Sequence, residues 1–228
     1  VKDDEEIALM RHAQSITDAA FQHMLTFIKP GLTEKEIRTE LENFMFSNGA
    51  DSLAFGSIVA SGPNTANPHA VPSDRVVQRG DFVLMDYGAG YCDYRSDMTR
   101  TVVVGEPTPE QLDLYALVRR THEECAAAVH AGVEGNDIFK LSRKIIGDAG
   151  YGDYYNHGLG HGVGIDIHEM PNFNRSMNII EAGSVITIEP GVYLPGIGGV
   201  RLEDYGVVTE DGYEPFTKST HELQVIDC

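Results

Sequence analysis

The feature that most constrains this chain is that it resembles itself. KPGLTEKEIRTELENFMFSNG, with Gly31, Ile37 and Gly49, aligns with HAGVEGNDIFKLSRKIIGDAG, with Gly132, Ile138 and Gly150, and all three pairs are offset by 101. Further on, GDFVLMDYG, carrying Gly80 and Asp86, aligns with GSVITIEPG, carrying Gly183 and Glu189, at an offset of 103. A duplicated chain folds as two related halves, so whatever the first half presents the second presents again about an approximate two-fold axis. The pattern of each half is helix, helix, strands. Apolar residues at Ile7, Met10, Ala13, Ile16, Ala20, Met24 and Phe27 keep one helical face buried across Asp3 to Ile28, and Lys29-Pro30-Gly31 stops that helix. Thr33 and Glu36 form a capping box for a second helix running to Ser47, which Asn48-Gly49 closes. Strands follow at Ser57–Ala60, Phe82–Tyr87 and Thr99–Val104, the last two reading as a hairpin with its turn at Gly88–Gly90. Gln111–Ala131 and Asn136–Ala149 repeat the helix pair, and strands near Val185–Glu189, Val200–Glu203 and Tyr205–Val208 repeat the strands.

The repeat carries acids. Asp86 and Glu189 fall at matched strand ends, and Asp97 and Glu203, offset by 106, each precede the next strand. Solvated surface acids have no reason to recur at matched places. Two halves each presenting two acids bring four carboxylates together about the dyad, a geometry for two cations. The same repeat is also compatible with an empty site.

Between the second helix pair and the second set of strands runs NHGLGHGVGIDIHEMP, with His157, His161 and His168 among glycines at 158, 160, 162 and 164. Glycine at every second position weakens a strand and costs a helix about 1 kcal/mol each, so the backbone here must pass close to something, an ion and its substrate being the candidate. By itself the stretch fits a metal site and a glycine-rich surface loop equally; the four acids favour the metal, with His161 as fifth ligand. His168-Glu169 lacks the second histidine of a zinc-peptidase helix, and the glycines lack dinucleotide-loop spacing.

Composition removes other classes. Seventeen basic residues against 35 acidic ones give a formal charge of −18, which repels nucleic acid and anionic membranes. With no long apolar run and no signal-peptide pattern at the start, the expected location is cytoplasmic. Cys92, Cys125 and Cys228 are too scattered for a disulfide framework or a thiolate metal site.

The motifs MDYGAGYCDYRSDMTRTV, HGLGHGVGIDIHEMP, TIEPGVY and GGVRLEDYGVVTEDG, in this order, resemble the M24 or "pita-bread" metallopeptidases, in particular Xaa-Pro aminopeptidases and Xaa-Pro dipeptidases. The resemblance spans almost the whole chain. It implies an α+β pita-bread fold, with two pseudo-symmetric helix-helix-strand halves around a curved, mainly antiparallel sheet. It also implies one catalytic domain over residues 1–228, its halves at about 1–105 and 106–228, and no sign of the N-terminal domain that proline-specific members carry.

The implied activity is hydrolysis of the bond between an N-terminal residue and proline, by a hydroxide bridging two divalent metal ions. Asp86, Asp97, His161, Glu189 and Glu203 are the implied ligands, with Asp97 and Glu203 bridging. His69 and His168 take substrate-facing or proton-handling roles, Glu189 doubles as proton carrier, and His157 and Arg201 bind substrate or hold ligand carboxylates. The oxygen-rich donor set suits Mn, with Co, Zn or Fe as substitutes. Asp93 and Asp204 are expected to face solvent or to stand behind the ligands. The partners implied are short peptides with proline second, and the resemblance admits a homodimer. Methionine aminopeptidases, other hydrolases or lyases of this fold, and a metal-free binding module are the rival readings. Glu203-Asp204 in place of a Glu-His pair separates the chain from the first, and a complete ligand set from the last.

Overall fold

The computed structural model describes residues 1–175 and 177–227, so Cys228 lies outside the described residues. Helix α1 spans Asp4–Phe27 and α2 Glu34–Ser47. Both open on capping boxes, Asp3 with Glu6 and Thr33 with Glu36, which satisfy amides that a helix start leaves free. Short strands β1 (Ser52–Leu53) and β2 (Ile58–Ser61) lead to β3 (Phe82–Tyr87), β4 (Ala89–Tyr91), β5 (Tyr94–Arg95) and β6 (Met98–Val104). Helices α3 (Pro109–Ala128) and α4 (Gly135–Asp148) follow, then β7 (Gly160–Gly162), β8 (Glu169–Phe173), β9 (Val185–Ile188) and β10 (Gly191–Leu194). The chain ends with β11 (Gly198–Arg201), β12 (Asp204–Val208), β13 (Tyr213–Pro215) and β14 (Val225–Ile226). The expected helices and strands form within a few residues of their expected ends.

Hydrogen bonding divides the strands into two main sheets. One runs β14-β6-β3-β2 and the other β13-β12-β9-β7-β8; among the described residues β14 against β6 is the parallel pair in an otherwise antiparallel set. The anticipated hairpin is β3 against β6; the chain between them does not turn tightly but builds β4 and β5 into a small sheet with β1. The two main sheets meet where Glu203 N donates to Thr99 O at 3.1 Å. The result is the α+β pita-bread arrangement that the motifs implied.

Corresponding backbone in the two halves behaves alike. Gly31 and Gly132, Gly49 and Gly150, and Gly80 and Gly183 all hold φ between 82° and 100°, where a side chain would be strained. The isolated bridge Thr33–Val76 has its counterpart in Glu134–Ile179. The ladders correct one alignment. Phe82 pairs with Val103 and Val185 with Val207, while Met85 pairs with Arg100 and Ile188 with Asp204, so these outer strands correspond at an offset of 104, not 106. The counterpart of Glu203 is therefore Thr99, two residues beyond Asp97. Asp97 lies before its strand begins, where no ladder fixed the count.

Alternation along the strands sets the faces. Val83, Met85 and Tyr87 of β3 pack with α1 and α2, including Phe21, Met24, Ile37 and Leu41, which leaves Asp86 on the opposite face. Ile186 and Ile188 of β9 pack with Cys125 of α3, Val129 just after it and Ile138 of α4, leaving Thr187 and Glu189 opposite. Each sheet thus turns an apolar face to its helix pair and an acidic edge inward. Among the described residues no helix is long and apolar enough to cross a membrane.

Candidate metal centre

All nine residues singled out in the sequence, His69, Asp86, Asp97, His157, His161, His168, Glu189, Arg201 and Glu203, line a single cavity of about 360 Å³. Asp86 comes from the end of β3, Asp97 from just before β6, His161 from the middle of β7, Glu189 from just after β9 and Glu203 from just before β12. Oxygen or nitrogen atoms of Asp97, His161 and Glu203 lie within 4.8 Å of one another. His161 Nε2 stands 3.6 Å from Asp97 Oδ2 and 3.4 Å from Glu189 Oε1. These separations match neighbouring ligand atoms around one ion, since metal bonds of about 2 Å at tetrahedral angles put donors roughly 3.3 Å apart.

The histidine is set to offer a lone pair. His161 Nδ1 lies 3.0 Å from the carbonyl of Gly162, which can only accept, so Nδ1 carries the proton and Nε2 faces the acids unprotonated. Burial also pushes its pKa down. Glycine alternation around it has a different cause from the one expected. A Cβ at Gly160 would meet Thr187 O at 2.1 Å, and one at Gly162 would meet Met170 O at 2.4 Å. The bare backbone makes room for the flanking strands β9 and β8, not for an ion or substrate, and leaves His161 on the other face.

The acids are in a state that calls for cations. Burial pushes the carboxyl of Asp97 well up, reinforced by the charges of Asp86 and Glu189. Burial does the same to Glu203, with Asp97 the largest neighbouring charge. Glu189 is pushed up to about 8 by burial, against the pull of Arg201. Among the described residues that line the cavity, four carboxylates face one resident cation, Arg201, whose Nη2 donates to Asp86 Oδ2 at 2.6 Å. Unpaired buried charge is expensive, and divalent ions held by Asp86, Asp97, His161, Glu189 and Glu203 would neutralise it. The donor set fits the group.

Arg201 anchors a network whose members Thr99 and Tyr193 the sequence did not announce. Its Nε donates to Thr99 Oγ1 at 3.0 Å, and that hydroxyl donates to Glu203 Oε2 at 2.6 Å. Its Nη1 donates to the Tyr193 hydroxyl at 2.8 Å, which lies 2.8 Å from His157 Nε2. His157 Nδ1 donates to the Gly158 carbonyl at 2.7 Å, so Nε2 must accept from Tyr193. Burial pushes His157 down to about 4 and Tyr193 up to about 12, which keeps both neutral. Thr187 Oγ1 likewise donates to Glu189 at 3.3 Å. Tyr193 and Thr99 lie inside quoted motifs, four after Glu189 and two after Asp97, and that adjacency was the available signal. His168 stacks edge-on to His161 with ring centroids 4.4 Å apart, and His69 sits on the exposed rim. Phe55, Ile58, Pro68 and Ile167 form apolar wall.

Asp93 is exposed, as expected, but Asp204 neither faces solvent nor backs the ligands. Next to Glu203 on a strand, it points to the opposite face, where it is 2% exposed and accepts from Arg100 Nη2 at 2.7 Å and faces His221 Nε2 at 2.6 Å.

Comparison with known proteins places this geometry. The pattern of metallopeptidase family M24 matches residues 8–210. The chain is 42% identical over 224 residues to a Xaa-Pro dipeptidase of Pyrococcus furiosus, covering 98% of this chain and 64% of that protein. It superimposes on a Xaa-Pro dipeptidase from Bacillus anthracis with a TM-score of 0.97 at 45% identity, and on an X-Pro aminopeptidase from Thermotoga maritima with a TM-score of 0.97 at 39% identity. Each superposition covers 99% of this chain and 64% of the other.

Proposed function

Because the chain belongs to metallopeptidase family M24, we propose that it is the catalytic domain, in two related halves over residues 1–228, of an exopeptidase that releases an N-terminal residue from proline. The observation that carries this reading is the buried group of Asp97, His161 and Glu203 with Asp86 and Glu189 on one cavity. The chain spans 64% of the length of its curated relatives, so activity is proposed for the domain and tested on it.

Two divalent cations, Mn in the first instance for so oxygen-rich a set, would supply Lewis-acid polarisation of the scissile carbonyl and acidify water. The protein's own groups do the rest. Glu189 takes a proton from the attacking water and returns it to the leaving nitrogen as the C–N bond breaks. His168, at the cavity rim beside His161, donates a hydrogen bond to the oxygen on which charge develops. Arg201 holds Asp86, and Tyr193 links that arginine to His157, a neutral hydrogen-bonding group on the cavity wall. Phe55, Ile58, Pro68 and Ile167 suit the pyrrolidine ring and an apolar preceding side chain, with His69 at the mouth.

The test is proline release from Xaa-Pro dipeptides with Mn2+, beside Xaa-Pro-Yaa peptides and Met-Ala-Ser, with Asp97→Ala as control. Cleavage of dipeptides alone defines a dipeptidase, and cleavage of the longer proline peptides an aminopeptidase. Methionine release would overturn the proline reading.

A further inference from the structure

A second cluster lies on the opposite face of β12, and the proposed reaction makes no use of it. Ring nitrogens of His122 and His221 and a carboxylate oxygen of Asp204 lie within 4.8 Å of one another. They come from three distant parts of the chain: α3, β12 and the loop between β13 and β14. His122 is 1% exposed, and neither of its ring nitrogens has a hydrogen-bond partner among the described residues. A buried imidazole with both nitrogens idle costs stability unless something occupies them. Its Nε2 points at Asp204 Oδ2, 3.7 Å away, too far for a hydrogen bond and close to the roughly 3.3 Å between donors on one tetrahedral ion.

We propose that His122, Asp204 and His221 form a second metal site, which takes one zinc-class divalent ion and clips α3 to β12 and the C-terminal loop. Two imidazole nitrogens and one carboxylate oxygen are a borderline donor set, unlike the oxygen-rich first centre, and select Zn2+ or Co2+ over Mn2+. His221 Nε2 now sits 2.6 Å from Asp204 Oδ2, so admitting an ion requires it to withdraw by about 0.7 Å to reach that spacing. It is free to do so, because its side chain is 27% exposed on a loop. Behind it, Glu123 Oε1 lies 3.7 Å from His221 Nδ1, the place of the carboxylate that commonly orients a ligating histidine. Two neighbouring arginines already have partners. Arg100 is on Asp204 Oδ1, leaving Oδ2 for the ion, and Arg119 is on Glu123 and Glu222. Asp204 and His221 border a solvent cleft of about 300 Å³, which gives entry and a place for water as fourth ligand.

The test removes the first centre and asks whether a site remains. The full chain carrying Asp97→Asn and His161→Gln, stripped by a chelator, is titrated with Zn2+ by calorimetry and with Co2+ by visible absorption. The expected result is one bound zinc, tetrahedral cobalt bands, and a melting temperature that rises with zinc. Adding His221→Gln, at a half-exposed position, weakens uptake at least about 10- to 100-fold and abolishes the rise in melting temperature; His122→Phe does the same. No zinc uptake by the doubly substituted chain, or uptake unchanged by His221→Gln, overturns the proposal.

Discussion

Glu203 and Asp204 are consecutive residues, each 2% exposed, yet one is driven towards its neutral form and the other held as an ion. Alternation along the strand sends them to opposite faces. Glu203 meets Asp97, Glu189 and Asp86, and burial among like charges pushes its pKa well up. Asp204 meets Arg100, His122 and His221, and that company holds its carboxyl well below the usual range despite burial. The lesson is that burial alone does not declare a functional acid; what distinguishes the two is whether compensating charge comes from the protein. Where it does, the acid is an ion before any metal arrives, and where it does not, the acid needs a bound cation to be one.

Arg100→Met should have the largest effect, because it strands Asp204 as a buried, poorly compensated charge. The expected loss is about 3–5 kcal/mol of folding stability, read as the denaturant midpoint. A small loss would mean that Arg100 is not what holds Asp204. Glu203→Gln should do the reverse of what burial suggests. Metal-dependent peptide cleavage should fall by a thousandfold or so, about 4 kcal/mol, while the chelated protein becomes no less stable. Tyr193→Phe removes the link between Arg201 and His157 and should cost about 10- to 100-fold in kcat/KM, the worth of a hydrogen bond to a charged group, with metal affinity unchanged.

The smallest effect separates the faces by pH. In chelated protein, Glu189 at about 8 and the raised Asp97 and Glu203 bind protons more readily folded than unfolded. Stability should therefore fall as pH rises from about 4.5 to 8. Asp204 has the opposite sign, since its stabilisation is complete above the ordinary aspartate value near 3.9 and is lost only as pH falls below it. Glu203→Gln should flatten the profile between pH 5 and 8, whereas Asp204→Asn should lower the whole curve and keep its slope. Melting curves across that range decide it.

The same contrast explains what could be read before the fold was known. Helices α1 to α4 were legible because periodicity and caps are local, as at Thr33 with Glu36. Asp86, Glu189 and His161 were legible because repeated strands and a glycine pattern surround them. Asp204 was not, because its character comes from Arg100, His122 and His221, each distant in sequence, and nothing near Glu203-Asp204 announces them. Asp97 was recognised as an acid of the site but aligned two residues out, because it precedes its strand and no ladder fixes it. The glycines at 160 and 162 were rightly read as close backbone approach, but the approaching group is a neighbouring strand.

The central claim is that the inward face is built for divalent cations. Its most direct test is calorimetric titration of the chelated full chain with Mn2+ near pH 7.5, in parallel with Asp97→Ala and His221→Gln. The account predicts Mn2+ binding that Asp97→Ala abolishes and His221→Gln leaves intact. No binding of Mn2+, Co2+ or Zn2+ that depends on Asp97 would contradict it.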